Sequence, residues 1–428
     1  MEKKIWNELS ALEQAETLTR PSQSSSDKVE AIVKDIIANI RLHGDEALKE
    51  YSVKLDHFTG ADLEQSASEI AAACERVEPS LKEAILQAHD NIALFHKAQT
   101  PSHVDLETFP GIVCKTRTHA IDAVGLYVPG GSAPLVSTAL MLAVPAQIAG
   151  CAEVILCSPP PISDAIIYAA TISGVKRIFN LGGAQAIAAM AYGTASVPKM
   201  LKIFGPGNQF VTMAKRLVSS DPNGAAIDMP AGPSEVLVIA DASADPKFVA
   251  ADLLSQAEHG PDSQVLLVTN SDDLASKTME AVNAELKTLP RHDIAVKALA
   301  KSTLLVVPDL ETACAVSNRY APEHLILQVE KPELYLDSLH NAGSIFVGAY
   351  TPESLGDYAS GTNHTLPTYG YAKTFSALGT DDYRRRYTVQ MATKEGLCQI
   401  SKTVQALASA ESLEAHRLAV AVRVGDEK

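Results

Sequence analysis

The sequence predicts an α/β fold with two doubly wound blocks and small helical segments at both ends of the chain. Its 428 residues, of which 46% are hydrophobic, are enough to bury a substantial core. Short β-type runs alternate with alanine-rich helical runs, and Gly or Pro turns separate them. The order strand, turn, helix, strand is the signature of parallel βαβ units, and the chain contains two series of them.

The elements follow in a regular order. Residues 27 to 100 are helical in character, with an apolar stripe at helical spacing that comprises Val29, Ile32, Val33, Ile36, Ile37 and Ile40. The first series of β-type runs lies at residues 123–131, 153–161, 176–183 and 202–208. The second series lies at residues 235–243, 263–271, 302–309, 324–330 and 343–350. After about residue 380 the rhythm ends, and SKTVQALASAESLEAHRLAVAVR predicts a small helical tail.

Charge and segment composition exclude several classes of protein. The formal net charge of -15, from 51 acidic and 36 basic residues, disfavours binding to a nucleic-acid backbone. The amino-terminal stretch MEKKIWNELSALEQAE reads as a charged helix without an apolar leader core, and no run approaches eighteen apolar residues. We therefore expect a cytoplasmic protein that is not bound to a membrane. The cysteines are dispersed without a C-x-x-C pair, which predicts reduced core residues.

Three glycine turns follow β-type runs of the first series. No G-x-G-x-x-G follows a strand, and no G-x-x-x-x-G-K-[ST] occurs, so the standard phosphate-binding signals are absent. The looser turns YVPGGSAPLVST, NLGGAQAIA and FGPGNQ place glycines and polar side chains where backbone N–H groups can meet a pyrophosphate. Taken alone, each turn is also typical of plain turn chemistry.

A helix end in the second series pairs two potential metal ligands. In ADPKFVAADLLSQAEHGPDS, Asp245 is a plausible N-cap, Pro246 opens the helix and Gly260 ends it. Gln256 and His259 are then neighbours on one face of the last turn, where the helix dipole favours a cation. The alternative is a histidine that interacts only with the dipole or with solvent.

Two further segments carry groups suited to acid–base chemistry. NRYAPEHLILQVE sets Glu323 and His324 at the mouth of a strand, where open α/β sheets collect catalytic groups. A carboxylate beside an imidazole supplies two bases of different proton affinity. The loop ESLGDYASGTNHTLPTYG concentrates the polar residues Asp357, Ser360, Thr362, Asn363 and His364. The alternative for this loop is a set of Asx and Ser/Thr turns.

Together these stretches resemble the histidinol dehydrogenase family, which makes the last two oxidations of histidine biosynthesis. The resemblance rests on GLYVPGG, AIDMPAGPSE, SQAEHG, RYAPEHL, GDYASGTNHTLPTYG and EAHR, and it also includes GDEALKEYSVKLD near the amino terminus. It implies two incomplete, atypical Rossmann-like domains. We expect an amino-terminal helical arm at 1–23, a main domain with the metal and substrate at 24–126 plus 235–378, an inserted NAD-binding domain at 127–234, and a helical tail at 379–428.

The resemblance implies one Zn²⁺ per subunit, held by Gln256, His259, Asp357 and His416. Oxygen and nitrogen donors suit zinc when thiolates are absent, although manganese or cobalt would also be accepted. The implied substrate-binding residues are these four together with Ser234, His324 and Glu411. His416 and Glu411 would come from the neighbouring subunit, which implies an intertwined homodimer.

The resemblance also implies roles in the reaction. His324, neutral near pH 7, would take the proton from the L-histidinol hydroxyl, and Glu323 would activate a water that hydrates bound L-histidinal. NAD would accept both hydrides and contact Tyr127, Gln185 and Asn208, one in each glycine turn. A thiolate mechanism at Cys114 or Cys151 is not expected.

Two rival functions use the same residues. A metal-dependent hydrolase would bind a water at the Gln/His/Asp/His shell and use Glu323 as its base, but it gives the glycine turns no role. A catalytically silent binding protein would keep the metal without turnover. Formation of reduced cofactor from histidinol and NAD separates an oxidoreductase from both.

Overall fold

The computed structural model describes residues 1–21, 27–60, 62–99, 101–130, 134–229 and 232–426. The strands are β1 Glu2–Ile5, β2 Asp105–Phe109, β3 Ile112–Ala120, β4 Ala123–Tyr127, β5 Glu153–Ser158, β6 Arg177–Asn180, β7 Lys202–Phe204, β8 Ala226–Ile227, β9 Glu235–Ala240, β10 Gln264–Thr269, β11 Thr303–Val306, β12 His324–Gln328, β13 Ser344–Val347 and β14 Arg384–Ala392. The helices are α1 Ala11–Thr17, α2 Asp27–His43, α3 Asp45–Asp56, α4 Ala67–Arg76, α5 Pro79–Ala98, α6 Val136–Ala149, α7 Asp164–Ile172, α8 Gly183–Tyr192, α9 Gln209–Ser220, α10 Pro246–Ala257, α11 Asp272–Glu285, α12 His292–Leu299, α13 Leu310–Tyr320, α14 Glu353–Tyr358, α15 Lys394–Ala410 and α16 Glu414–Val424.

The second series of β-type runs forms one parallel sheet of six strands, in the order β1-β11-β10-β9-β12-β13. Successive residues of β9 face opposite sides, as a strand requires. Val236 and Val238 pack with α10 and α11, whereas Leu237 and Ile239 pack with α13. Both faces of the sheet are therefore covered by helices, which confirms the predicted doubly wound arrangement.

The first series forms a second parallel sheet of five strands, in the order β6-β5-β4-β7-β8. Helices α2, α3, α8 and α9 contribute to one hydrophobic core at this sheet, and α5, α6 and α7 contribute to another. Five residues of the predicted apolar stripe of α2 thus pack at the five-stranded sheet, whereas Ile32 is 48% exposed. Strand β4 begins at Ala123, a few residues before the expected start of the inserted domain.

The amino-terminal arm was expected to be helical throughout, and this is wrong for its first residues. Glu2–Ile5 is a strand that pairs in parallel with β11, so it satisfies the backbone groups at an open sheet edge. Trp6 is buried in the core behind that sheet. A capping box between Ser10 and Glu13 then begins α1.

The carboxyl-terminal tail contains the two expected helical stretches, α15 and α16, but it is not wholly helical. Arg384–Ala392 is a strand that pairs antiparallel with β3, and β2 completes this third sheet. Most residues of β14 are exposed or half-buried, so the segment lacks the apolar run that identified the parallel strands.

The helices and the cysteines can be compared with the expectations drawn from composition. None of the helices in the described ranges is long and apolar enough to cross a membrane. The cysteines are all free, as predicted, but they are not all core residues. Cys157 and Cys314 are buried, three others are partly exposed, and Cys398 is exposed on α15.

Candidate active site

The candidate site lies at the amino-terminal edge of the six-stranded sheet. Glu235 and His324 are the first residues of β9 and β12, which are neighbours in that sheet. Helix α10 runs back from the far end of β9, so its last turn brings Gln256 to Glu235. The sequence interpretation relied on the rule that open α/β sheets bind ligands at the carboxyl ends of their strands. For Glu323 and His324 that rule gives the wrong edge.

The imidazole of His324 is held on both sides. Its Nδ1 lies 2.8 Å from Gln256 Nε2 and 3.2 Å from the Glu235 carbonyl oxygen. Its Nε2 faces Asp357, with Oδ1 at 3.4 Å. Glu323 is also adjacent, with Oε2 3.6 Å from Nδ1. The structure thus brings Glu323, His324, Gln256 and Asp357 together from three separate parts of the sequence.

Glu235 organises this group through its backbone. Its N–H donates to Glu323 Oε2 at 2.9 Å, and its carbonyl accepts from Gln256 Nε2 at 3.1 Å. Its carboxylate is paired with the Arg20 guanidinium, with 2.8 Å between Oε2 and Nη2. The sequence interpretation missed Glu235 and Arg20, because a contact across 215 residues leaves no local pattern.

A second group of side chains lies beside the first. One ligand atom from each of His259, Glu353 and Asp357 lies within 4.8 Å of the other two. Oε1 of Gln256 and Oε2 of Glu353 are buried, and neither has a hydrogen-bond partner within the described residues. Unpaired buried acceptors are costly, and a cation would satisfy them. Glu353 was not predicted, although it precedes Asp357 by four residues on α14, a spacing that indicates one helix face.

Burial and mutual charge alter the proton affinities of this cluster. Burial alone would lower the pKa of His324, but the carboxylates of Glu323, Asp357 and Glu353 outweigh it and raise that pKa to about 10. Burial raises the pKa of both Glu323 and Glu353 to about 8. The surrounding carboxyl groups therefore stabilise a proton on His324 in the chain by itself. The neutral imidazole expected near pH 7 stays a prediction for the site with its metal bound.

Two other members of the cluster favour their ligand forms. Burial would raise the pKa of Asp357, but its contact with His324 lowers it, so this carboxylate is ionised. Burial lowers the pKa of His259 and keeps its imidazole neutral. A carboxylate and a neutral imidazole are the forms that bind a divalent metal.

The polar loop after α14 contains one residue that borders the site and one that has a structural role. His364 Nδ1 lies 3.1 Å from the carbonyl oxygen of Asp357, so this residue borders the site. Asn363 has a structural role, because its Oδ1 accepts from the Thr365 N–H and its amide donates to the Met141 carbonyl. For Asn363 the alternative of an Asx turn is correct.

The residues expected to contact NAD lie at the carboxyl-terminal edge of the five-stranded sheet. Tyr127 ends β4, and its hydroxyl accepts from the Gly183 N–H at 3.0 Å. Gln185 donates to Asp56 Oδ2 at 3.0 Å, and Asn208 caps α9 after β7. Part of the first glycine turn, residues 131–133, lies outside the described residues, as do residues 230 and 231 of the AIDMPAGPSE motif.

Three residues of the expected set are not in the cluster formed by the single chain. Ser234 adjoins it, one residue before β9. Glu411 and His416 are exposed near the turn between α15 and α16. Within the described ranges, the group of potential metal ligands around His259 does not include His416.

Comparisons with known proteins agree along almost the whole chain. The family model described as histidinol dehydrogenase matches residues 18–424. The histidinol dehydrogenase of Escherichia coli (strain K12) is 56% identical over 419 residues, which cover 98% of this chain and 96% of the relative. That of Photobacterium profundum is 54% identical over 420 residues, covering 98% and 95% respectively. The crystal structure of histidinol dehydrogenase from Elizabethkingia anophelis matches with a TM-score of 0.96 at 46% identity, covering 99% of this chain and 98% of that one.

Proposed function

Because this chain belongs to the histidinol dehydrogenase family, we propose that Glu323 and His324 supply the acid–base chemistry for its oxidation of histidinol to histidine. The family catalyses the final steps of histidine biosynthesis and depends on NAD, and the chain matches it over nearly its full length. The chain is therefore an oxidoreductase, and neither the hydrolase nor the silent binding protein is retained.

The residues at the cluster fit a divalent metal. Gln256, His259 and Asp357 would bind it within one chain, and His416 of the partner subunit would complete the set. The support is the buried Gln256 Oε1 without a partner among the described residues, beside a neutral imidazole and an ionised carboxylate. These nitrogen and oxygen donors suit zinc, with one ion per subunit. When bound, the metal would orient the imidazole and amino nitrogens of the substrate and offset the negative charge that keeps a proton on His324.

His324 serves as the base of both oxidation steps in this proposal. Its Nδ1 is turned toward Gln256 and Glu235, so Nε2 is the ring nitrogen that faces the metal-ligand group and the substrate. In the first step Nε2 accepts the proton of the histidinol hydroxyl. NAD, when bound, would supply the hydride acceptor for each of the two oxidations. The contacts on Nδ1 keep the ring in one orientation through both steps.

Glu323 acts between the two oxidations. Its carboxylate activates the water that hydrates histidinal, and the hydrate then loses its proton to His324. The N–H of Glu235 fixes one oxygen of Glu323 at 2.9 Å, which holds the carboxyl group in one orientation beside His324. Burial raises the pKa of Glu323 to about 8, which makes its ionised carboxylate a stronger proton acceptor. The buried Glu323–His324 pair beside the potential metal ligands is the observation on which this proposal depends.

We further propose that NAD binds at the five-stranded sheet, in contact with Tyr127, Gln185 and Asn208. The support is their position after three strands of one parallel sheet, at the edge where such sheets bind nucleotides. Asp56 of α3 holds the beginning of α8 there, because Oδ2 accepts from the Gly182 N–H and the Gln185 amide. We retain residues 127–234 as the NAD-binding domain on this basis.

An intertwined homodimer completes the proposed site. Glu411 and His416 are exposed on the tail, where they can reach a partner subunit but have no place in the cluster of their own chain. Apolar side chains are exposed on the same two helices and the turn between them, namely Leu407, Leu413, Leu418 and Val422. Tyr350, Leu355 and Tyr358 are exposed on and just before α14, the helix that carries Glu353 and Asp357. Two exposed apolar surfaces, one on the tail and one at the site, favour coverage by a second copy.

Counting reduced cofactor tests the two roles separately. The wild-type protein should form two NADH per histidinol, lose activity with a chelator and recover it with zinc. His324→Gln should lower the rate of both oxidations by about 10²–10⁴-fold, the usual contribution of a general base. Glu323→Gln should retain the first oxidation and lose the second, so the yield approaches one NADH with aldehyde captured by a trapping reagent.

The control is Glu330→Gln, an exposed glutamate just past the other end of the same strand. This variant should behave as the wild-type protein does. A Glu323→Gln variant that still forms two NADH per substrate at the wild-type rate would contradict the role given to Glu323.

A further inference from the structure

We infer that Glu353 is an additional metal ligand, with which a single chain binds a divalent cation before a partner subunit supplies His416. The inference rests on the proposed function, because it concerns the same metal site. It adds a residue outside the expected set of Gln256, His259, Asp357 and His416, and it gives that residue a separate role in metal capture.

Glu353 lies close to two of the proposed metal ligands. Glu353 and Asp357 lie one turn apart on α14, and Glu353 is 1% exposed. One ligand atom from each of Glu353, Asp357 and His259 lies within 4.8 Å of the other two. A tetrahedral zinc site with bonds of about 2.0–2.2 Å has ligand atoms roughly 3.5 Å apart, so inward shifts of about 1 Å would form it.

Only one of the two carboxyl oxygens of Glu353 has a hydrogen bond within the described residues. Oε1 accepts from the Ser255 hydroxyl at 3.0 Å, which anchors the carboxyl group to α10. Oε2 is buried and has no hydrogen-bond partner within the described residues. Oε1 of Gln256, one residue after Ser255, is likewise buried without a hydrogen-bond partner within the described residues. Two buried oxygens without donors thus accompany His259 and Asp357, which is the environment that a cation satisfies.

The charges of the two acidic side chains also favour a divalent cation. The buried Glu353 and the half-buried Asp357 place two carboxyl groups close together, where two negative charges would repel each other. A divalent cation neutralises both, so the single chain offers a balanced site with Gln256 and His259 as neutral ligands. His416 is exposed and outside the group, so it cannot serve as the first ligand in its own chain. Glu353 therefore holds the position that His416 of the partner subunit takes over on assembly.

Metal binding in a His416→Ala background tests this role directly. We expect His416→Ala to bind one Zn²⁺ per chain, more weakly than wild type, when zinc is titrated against a chromophoric chelator. Adding Glu353→Gln should weaken binding by a further factor of about ten or more, because a ligand is lost. It should also alter the visible absorption spectrum of the Co²⁺-substituted protein. Gln keeps the size of Glu and can still accept from Ser255, so the fold should be retained.

The matched control is Asp252→Asn in the same background. Like Glu353, Asp252 is a buried acid. It lies on α10, its carboxylate accepts from Gln328, and it is outside the ligand group. Its replacement should leave zinc affinity unchanged. Equal affinity with and without Glu353→Gln would overturn the inference, as would a His416→Ala chain that binds no zinc while the wild type does. A wild-type protein that binds no zinc would instead overturn the proposed metal site itself.

Discussion

Asp252 and Gln256 lie one turn apart on α10, yet their environments give them different roles. Gln256 reaches the first residues of β9 and β12, where it contacts His324. Asp252 reaches the last residue of β12 instead, where its Oδ2 accepts from Gln328 Nε2 at 2.6 Å. Burial raises the pKa of Asp252 to about 7, with no cation nearby to stabilise its charge among the described residues. Asp252 is therefore a structural acid whose titration affects stability and not catalysis.

Asp252→Asn should change how stability depends on pH. The pKa of Asp252 is raised on folding, from 3.8 to about 7, so its contribution is fully present below about pH 3.8 and is lost progressively as the pH rises from there through about 7. Asn does not titrate, and it can form a paired amide contact with Gln328, whose Oε1 is buried without a partner within the described residues. At pH 8 the variant should be more stable than wild type by roughly 1–2 kcal/mol.

Thermal unfolding at pH 5 and pH 8 measures this effect. The gain should be clearly larger at pH 8 than at pH 5, with histidinol oxidation unchanged at both. The same gain at both pH values would show that the pKa of Asp252 is not raised on folding.

At the scale of elements, the turn between α13 and β12, which leads to Glu323, is held by a residue of the amino-terminal arm. Arg20 pairs with the Glu235 carboxylate and donates to the carbonyl oxygens of Tyr320 and Ala321 at 2.9 and 3.0 Å. Ala321 has φ of +57°, a left-handed conformation that is unfavourable for a residue with a side chain. The Arg20 contacts compensate for this strain two residues before Glu323.

Arg20→Lys should therefore destabilise the protein and lower its activity. Lys cannot reproduce the two-pronged contact with Glu235 together with both carbonyl contacts. Disrupting a buried ion pair costs about 3–5 kcal/mol when one charge is left unpaired, and a Lys should lose part of that. We expect a lower unfolding midpoint and a lower kcat at temperatures where the variant is folded.

Arg76→Lys is the control, because Arg76 makes a similar two-pronged pair with Asp164 on the surface. Exposed pairs contribute about 0–1 kcal/mol, so this variant should resemble wild type in stability and kcat. Equal effects of the two substitutions would refute the role assigned to Arg20.

The sequence predicted elements well where local patterns are strong. Apolar runs bounded by turns located β4 to β7 and β9 to β13, and helical spacing paired Gln256 with His259. The edge strand β1 and the antiparallel sheet of β2, β3 and β14 were missed, because their residues are largely exposed and form no apolar run. Arg20, Glu235 and Glu353 were missed for another reason. Their roles arise from contacts between distant segments, which no single segment encodes.

At the scale of the whole molecule, the two sheets contribute opposite edges to the proposed function. The six-stranded sheet presents the proposed acid–base pair at its amino-terminal edge, and the five-stranded sheet presents the expected NAD contacts at its carboxyl-terminal edge. The topological rule predicted the second edge and not the first. Within the described residues, a single chain assembles Gln256, His259 and Asp357, whereas His416 stays exposed on the tail. We therefore expect a complete site to need residues from two chains.

A mixed dimer of two variant subunits tests whether the site is shared between chains. One subunit carries His416→Ala and the other His324→Gln, and each variant alone should be inactive. The mixed dimer, purified through two different affinity tags, should contain one intact site, built from the body of the first subunit and the tail of the second. Its activity should be about half that of wild type, since one of two symmetric sites is restored. A purified mixed dimer no more active than either parent would contradict the shared site and place His416 with its own chain or outside the site.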